Sequence, residues 1–278
     1  MTARPRSKRD FVERYGPAAL VTGAAQGIGL AFAERLAARG LSIYMLDVQR
    51  EPLEEAARDL SDRYDVSTWA LPSDLAERDF LHGVEAVIAR TGVDVGLVVC
   101  NAALGLEGPF LEASLETMHR AVEIACQSTL TLAHHFGRAM VERRRGGLIF
   151  LASGTALQGS PGFSSYAATK AFNLVLGESL WYELREHGVD VLSYVPGPTN
   201  TPGMRKSLPQ LREGEEVGPI KLPEATAENA IRALGQRASA AREREQASRL
   251  SGRRRAADEF FARQQERGGW SGASGEDR

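Results

Sequence analysis

"LVTGAAQGIGLAF", residues 20–32, passes from an apolar run into a helical pattern through three glycines. Gly23, Gly27 and Gly29 supply what a side chain would block: backbone at positive φ, close approach of the main chain to a ligand, and tight packing of helix on strand. A helix that starts directly after such a turn offers free N–H groups to an anion such as a pyrophosphate. An ordinary tight connection would also use glycines, so the turn takes its meaning from its surroundings.

Those surroundings alternate. "AALVT" (18–22), "SIYMLD" (42–47), "STWALP" (67–72), "VGLVVCN" (95–101), "GLIFLAS" (147–153) and "VDVLSYV" (189–195) are short β-rich runs, with stretches of helical period between them. Strands that are apolar on both faces and separated by helices imply a parallel sheet covered on both sides by right-handed crossovers. The expected fold is α/β, a single doubly wound domain over residues 16–235. Residues 1–15 are expected to form a basic N-terminal arm (Arg4, Arg6, Lys8, Arg9). Residues 236–278 are expected to form an Arg-rich extension, helical and then disordered. The aliphatic content drops there, and no last strand is visible after residue 235.

Composition narrows the function classes. The 278 residues are 43% hydrophobic, enough for one large core, and carry a formal charge of −2, which gives no broad basic field for nucleic acid or an anionic membrane. No apolar run approaches the roughly 20 residues of a membrane-spanning helix. With no apolar segment of signal-peptide length after the basic start, a cytoplasmic address is expected. The two cysteines, Cys100 and Cys126, belong to no metal-spaced cluster and read as reduced packing residues. His134 and His135 have no acidic partner at ligand spacing, so no metal site is expected; His82, His119 and His187 read as surface residues.

Asp47 ends the second run. A carboxylate there can accept hydrogen bonds from both hydroxyls of an adenosine ribose and would repel a 2′-phosphate, which favours NAD over NADP. Its other reading is a helix N-cap. Asp74 and Asn101 follow the third and fourth runs, where a parallel sheet presents its carboxyl edge to a ligand, and either could instead cap a loop. Tyr166 and Lys170, at i and i+4, share a face of the helix "SYAATKAFNLVLGESLWYEL" (165–184), and Ser153 ends the fifth run at the same edge. Snorkelling would explain a Tyr and a Lys alone. With Ser153 they make three polar groups converging where a nicotinamide would lie, and a phenol becomes a base near neutral pH when cations stabilise its phenolate.

Taken together, "TGAAQGIG" (22–29), "NAA" (101–103), Ser153, "YAATK" (166–170) and "PGPTNT" (196–201) resemble the short-chain dehydrogenase/reductase family over about residues 16–235. The resemblance implies a Rossmann-like sheet and NAD as cofactor. Tyr166 would be the general acid/base, Lys170 would lower its pKa and hold the ribose, and Ser153 would polarise the substrate. The cofactor would be lined by Gly23, Ala25, Gln26, Gly27, Ile28, Gly29, Asp47, Asp74, Leu75, Asn101, Ala102, Ala103, Tyr166, Lys170, Pro196, Gly197, Thr199 and Thr201. Ala125, in "SLETMHRAVEIACQSTLTL" (114–132), stands where the family has an asparagine that helps hold a proton-relay water, which a methyl group cannot do.

The loops "ALGLEGPF" (103–110), "GTALQGSPGF" (154–163) and "TNTPGM" (199–204) are mostly small or apolar and should border the substrate, with Glu107 and Gln158 on them. A hydrophobic, fairly bulky secondary alcohol or ketone is the expected substrate. Non-redox elimination or isomerisation on the same fold, and a silent NAD-binding regulator, are the alternative readings. The resemblance also implies a homodimer or homotetramer built on the helices that contain Ala125 and Tyr166.

Overall fold

The computed structural model describes residues 7–159 and 161–241. Seven parallel strands form one sheet in the order β3-β2-β1-β4-β5-β6-β7. They are β1 (Ala18–Thr22), β2 (Ser42–Asp47), β3 (Thr68–Pro72), β4 (Val95–Cys100), β5 (Gly146–Leu151), β6 (Val189–Val195) and β7 (Ser239–Ala241). Six of them are the six runs read from the sequence, with ends that differ by at most two residues. The strand order reverses at β1, whose neighbours β2 and β4 leave in opposite directions, so a crevice opens at the carboxyl ends of β1 and β4.

Alternate residues of each strand feed two cores. Ala19, Val21, Ile43, Met45, Leu97, Val99, Ile149 and Leu192 pack beneath α2 (Gly27–Ala37), α3 (Arg50–Tyr64) and α9 (Pro223–Ala233). Ala18, Leu20, Tyr44, Leu46, Val98, Leu148, Phe150 and Val191 pack on the other side beneath α4 (Phe80–Thr91), α6 (Ser128–Glu142) and α7 (Ser164–Leu184). Both faces of the central strands are therefore dry, as the continuous apolar runs require. α7 can lie close on the sheet because Gly177 has no Cβ; one would collide with the Ser193 hydroxyl and the Phe150 ring. α5 (Leu115–Val122) runs into a π-helical turn, Glu123–Gln127, which leads into α6, and α8 (Pro202–Ser207) follows β6.

Two segments differ from the sequence reading. A last strand was not visible after residue 235, yet β7 pairs with β6 through Ser193–Ser239, Tyr194–Ala240 and Val195–Ala241. Its three residues, "SAA", carry no β-branched or aromatic side chain. Pairing with β6 makes it a strand, and propensity does not. The remainder of the expected Arg-rich helix and tail, from 242 on, lies outside the described residues.

The basic start contains α1 (Lys8–Tyr15), opened by a capping box between Ser7 and Asp10. Its Phe11 and Tyr15 are buried in the α2/α3/α9 core. At the start of β6, Asp190 accepts the Tyr15 hydroxyl at 2.7 Å and pairs with Arg14 Nε at 2.5 Å, so the helix is pinned to the sheet by one carboxylate. Burial is the main cause that pushes the Tyr15 phenol far above its ordinary value, so it stays a hydrogen-bond donor to Asp190.

Removing the carboxylate takes away the acceptor that the buried Tyr15 hydroxyl and the part-buried Arg14 share. Asp190→Ala is expected to lower stability by about 1–3 kcal/mol, the cost typical of leaving a buried hydrogen-bonding group without its partner. Urea unfolding of the wild type and variant checks this, and a loss below about 1 kcal/mol would mean that α1 is held by its apolar face alone.

Candidate active site

The glycine turn is shaped by its own main chain. Gly23 and Gly27 have φ of 66° and 59°, in the left-handed region. Gly29 packs so tightly that a Cβ there would collide with the Gly23 carbonyl oxygen. No side chain caps α2 at Gln26, which is extended and exposed, so the first amides of that helix are left to an external acceptor. Ala25 is buried and Ile28 packs against the core beneath the turn. This cradle of bare backbone above a helix N-terminus fits a dinucleotide pyrophosphate.

Asp47 lies beside it, 7% exposed. One carboxylate oxygen accepts the Ala25 N–H at 3.1 Å, and the other accepts the Gln49 N–H at 3.0 Å. Gln49 Nε2 also donates to the second of these oxygens, at 3.4 Å, and the oxygen facing Ala25 keeps one further lone pair. Asp47 thus ties the second strand to the glycine turn.

The floor of the crevice is a set of bonds between β1 and β4. The Thr22 hydroxyl accepts the backbone N–H groups of Asn101 and Ala102, both at 3.0 Å, and donates to the Val99 carbonyl at 3.3 Å. The Asn101 amide donates to the Thr22 carbonyl at 2.9 Å. Ala102 and Ala103 follow at the same edge, Ala103 exposed. Asp74, beyond β3, accepts the Ala76 N–H at 3.0 Å and pairs with Arg120 at 2.5 Å, which holds its carboxyl below the usual range although burial acts the other way. Leu75 beside it is buried.

After β6, Pro196 and Gly197 lead to two threonines with different surroundings. Thr199 is buried, with its hydroxyl on the Gly197 carbonyl at 2.9 Å and on Thr226 at 3.0 Å. Thr201 caps α8 through Met204 N–H and lies next to Gly27, whose missing Cβ would sit 3.4 Å from its Cγ2.

Ser153, Tyr166 and Lys170 come together across β5 and α7. Ser153 leaves β5 and caps a short 3₁₀ turn, Gly154–Leu157, accepting from the Thr155 hydroxyl at 3.0 Å. Burial raises the pKa of the Tyr166 phenol, and the neighbouring Ser153 hydroxyl acts the other way. One helical turn on, Lys170 is 3% exposed, its Nζ donating to the Leu151 carbonyl at 3.0 Å and lying 5.8 Å from the centre of the Tyr166 ring. Burial pulls the lysine down to about 8, with Cys126 and Cys100 acting weakly the other way. Both cysteines are free thiols, Cys100 buried and pushed up to about 12 by that burial. Ala125 lies in the π-helical turn, 1% exposed.

Around the site, the loop after β4 and the loop after β5 meet where Gly108 N–H donates to Gly162 O at 2.9 Å, and Ser207 of α8 donates to Glu107 at 2.9 Å. Gln158 ends the 3₁₀ turn in an extended conformation. Away from this edge, His135 lies 3.5 Å from Glu85, and no group of three metal-binding side chains occurs among the described residues. Arg120 and the buried amide of Asn173, on α7, went unnoticed in the sequence. An arginine on an exposed helix face is unremarkable, but an asparagine inside an apolar stripe one turn after Lys170 is a readable signal.

Residues 17–212 match the model of the short chain dehydrogenase family. The chain belongs to that family. Among its relatives is a 7beta-hydroxysteroid dehydrogenase of Collinsella aerofaciens, 32% identical over 82% of this chain and 86% of that one. Another is a human protein named inactive hydroxysteroid dehydrogenase-like protein 1, 31% identical over 68% of this chain and 58% of that one. A short-chain dehydrogenase from Sphingobium yanoikuyae, solved in complex with NADPH, superposes with a TM-score of 0.73 at 26% identity over 95% of this chain and all of the other. The chain is therefore an oxidoreductase of this family, built on its fold, for a nicotinamide cofactor.

The lysine has a consequence for stability. Below pH 8 the folded protein bears the buried charge and its full cost. Between about 8 and 10.4 the folded lysine is neutral while the unfolded one still binds a proton, so stability climbs with pH, by on the order of 3 kcal/mol in all. The difference in unfolding free energy between wild type and Lys170→Met should carry this climb, and a difference that stays flat from pH 7 to 10.5 would refute it.

Proposed function

We propose that this chain is an NAD-preferring dehydrogenase that interconverts a hydrophobic secondary alcohol and its ketone, with Tyr166 as general acid/base. The observation that carries the reading is the gathering of three side chains at the carboxyl edge: Ser153 at the end of β5 beside the Tyr166 phenol, and the buried Lys170 ammonium one turn on, 5.8 Å from the tyrosine ring centre. The fully exposed alternative, a Tyr and a Lys with wet heads, does not describe a lysine that is 3% exposed.

The bound dinucleotide supplies the carbon that accepts or gives the hydride. The chain's own residues do the rest. Gly23, Ala25, Gln26, Gly27, Ile28 and Gly29 would cradle the pyrophosphate. Asp47 would take the adenosine ribose, and Asp74, with Leu75, would border the adenine. Ala102, Ala103, Pro196, Gly197 and Thr201 would line the nicotinamide half. Asn101, whose Nδ2 is engaged with Thr22, would offer its carbonyl oxygen, and Thr199, whose hydroxyl is engaged with Gly197 and Thr226, would contribute shape to that lining. Ser153 would orient the substrate oxygen on Tyr166, which takes its proton in oxidation and returns it in reduction. Lys170 and an oxidised nicotinamide both place positive charge near the phenol, which opposes the upward push of burial.

The preference for NAD rests on Asp47 and on the side chains near it. Ala24, Ala25 and Gln26 are uncharged, Val48 is apolar and Arg50 is paired with Glu54, so no free cation stands beside the ribose position among these residues. The apolar loops after β4 and β5 and the similarity to a hydroxysteroid dehydrogenase support a bulky hydrophobic substrate. A homodimer or homotetramer is supported by the exposed apolar side chains of Leu115, Val122, Leu130, Phe172 and Val175 on α5, α6 and α7. No helix among the described residues is long and apolar enough to cross a membrane, and the cytoplasm is the proposed compartment.

Two variants test the proposal. Asp47→Ala should weaken NAD binding about ten-fold to a hundred-fold, the scale of a charged hydrogen bond, and relax the choice toward NADP. Because Asp47 also holds the Ala25 N–H, its melting temperature should fall as well. Cofactor titrations decide it, and a wild type that already prefers NADP overturns the role given to Asp47. Tyr166→Phe should keep NAD binding while turnover of secondary alcohols falls by about a hundred-fold or more. Wild-type protein that binds NAD yet turns over no member of an alcohol and ketone panel would favour a silent or non-redox protein.

A further inference from the structure

Asn173 lies on α7 one turn beyond Lys170 and is 1% exposed. Neither its Oδ1 nor its Nδ2 has a hydrogen-bond partner among the described residues. A buried amide with both ends unpaired is costly, and such groups in folded proteins are commonly satisfied by an internal water. The Cβ bonds of a helix lean toward its N-terminus, so this amide is carried back over the turn that holds Thr169 and Lys170. Thr169 is already satisfied, its hydroxyl donating to the Tyr166 carbonyl at 2.8 Å.

Lys170 is less completely satisfied. An ammonium has three donors, and the protein acceptor for this one is the Leu151 carbonyl. The titratable groups packed around it are the Tyr166 phenol on α7, Cys100 on β4 and Cys126 in the π-helical turn, with no carboxylate among them. Ala125, in that same turn, presents only a methyl group. Among the described residues, a donor short of acceptors and an amide short of partners therefore share one turn of a helix, while the neighbouring hydroxyls of Thr169 and Ser193 are satisfied by backbone carbonyls.

We propose that Asn173 is a positioning residue for Lys170, its carboxamide accepting an N–H of the ammonium through one internal water and so holding that ammonium charged beside Tyr166. The backbone at this point is fixed from the sheet: the Ser193 hydroxyl donates to the carbonyls of Asn173 and Leu174, both at 3.0 Å. A neutral amide suits the position, because a carboxylate would form an ion pair with the lysine and compete with Tyr166 for it.

The link to catalysis rests on the role proposed above for Lys170, but the coupling itself can be read without turnover. In cofactor-free protein carrying ¹³C-labelled lysine, the ε-carbon of Lys170, assigned with Lys170→Met, is followed against pH in wild type, Asn173→Leu and Asn173→Asp. The midpoint should fall by about one pH unit or more in the Leu variant, a ten-fold change in the equilibrium, and rise by a similar amount in the Asp variant. The pH profile of kcat should move in the same directions, with the KM for cofactor little changed. Melting curves accompany each variant, and Asn173→Ser replaces Leu if that protein does not fold.

Midpoints that stay together in folded variants overturn the proposal. A moved midpoint with an unmoved kcat profile, in an active enzyme, overturns the positioning role. If wild type proves inactive, the midpoints still decide the coupling, and only the proposed dehydrogenase activity falls.

Discussion

The carboxyl edge is registered against the hydroxyl of Thr22. That single oxygen accepts two backbone N–H groups from the end of β4 and donates to a third residue of the same strand, while the Asn101 amide returns a bond to the Thr22 carbonyl. At a topological switch point the crossovers on either side diverge, and nothing but the strand ends themselves can close the gap. The Thr22 and Asn101 bonds do so, and they fix how far the glycine turn stands from the chain that follows β4. A Cβ on Gly23 would already crowd the Asn101 amide, so the turn and the floor are fitted to each other.

Against that rigid edge the lysine is a deliberate strain in the energetics. Its ammonium is taken out of water and given one protein carbonyl at 3.0 Å, a poor exchange for full hydration. Two well-packed cores on either side of the sheet can bear a cost of this size, and a small domain could not. The cost has a chemical counterpart, since a cation that has lost its water acts more strongly on the phenol beside it.

Much of this was legible beforehand, and the exceptions have physical reasons. Most of the strands announced themselves because both faces of the central ones are dry, so their sequences are short, mostly apolar runs. β7 did not, because three small residues become a strand only when β6 offers its edge. α1 was hidden in a basic segment, where Phe11, Val12 and Tyr15 make one apolar face that packs on the core. Sequence spacing brought Ser153, Tyr166 and Lys170 to one edge, since strand ends and helix starts fix positions well. It could not tell which polar atoms would be spent inside the protein. The Nδ2 of Asn101 and the hydroxyl of Thr199 are engaged with neighbours that only the folded chain supplies. The pairing of Arg120 with Asp74 is of the same kind, a contact between elements far apart in sequence.

The contact between Ser207 and Glu107 joins the chain after β6 to the chain after β4 through one exposed hydrogen bond. Such a bond is worth about 1 kcal/mol, which leaves it parted roughly a sixth of the time. Exposed side chains reorient in picoseconds to nanoseconds. The two segments are therefore joined at this point without being locked together.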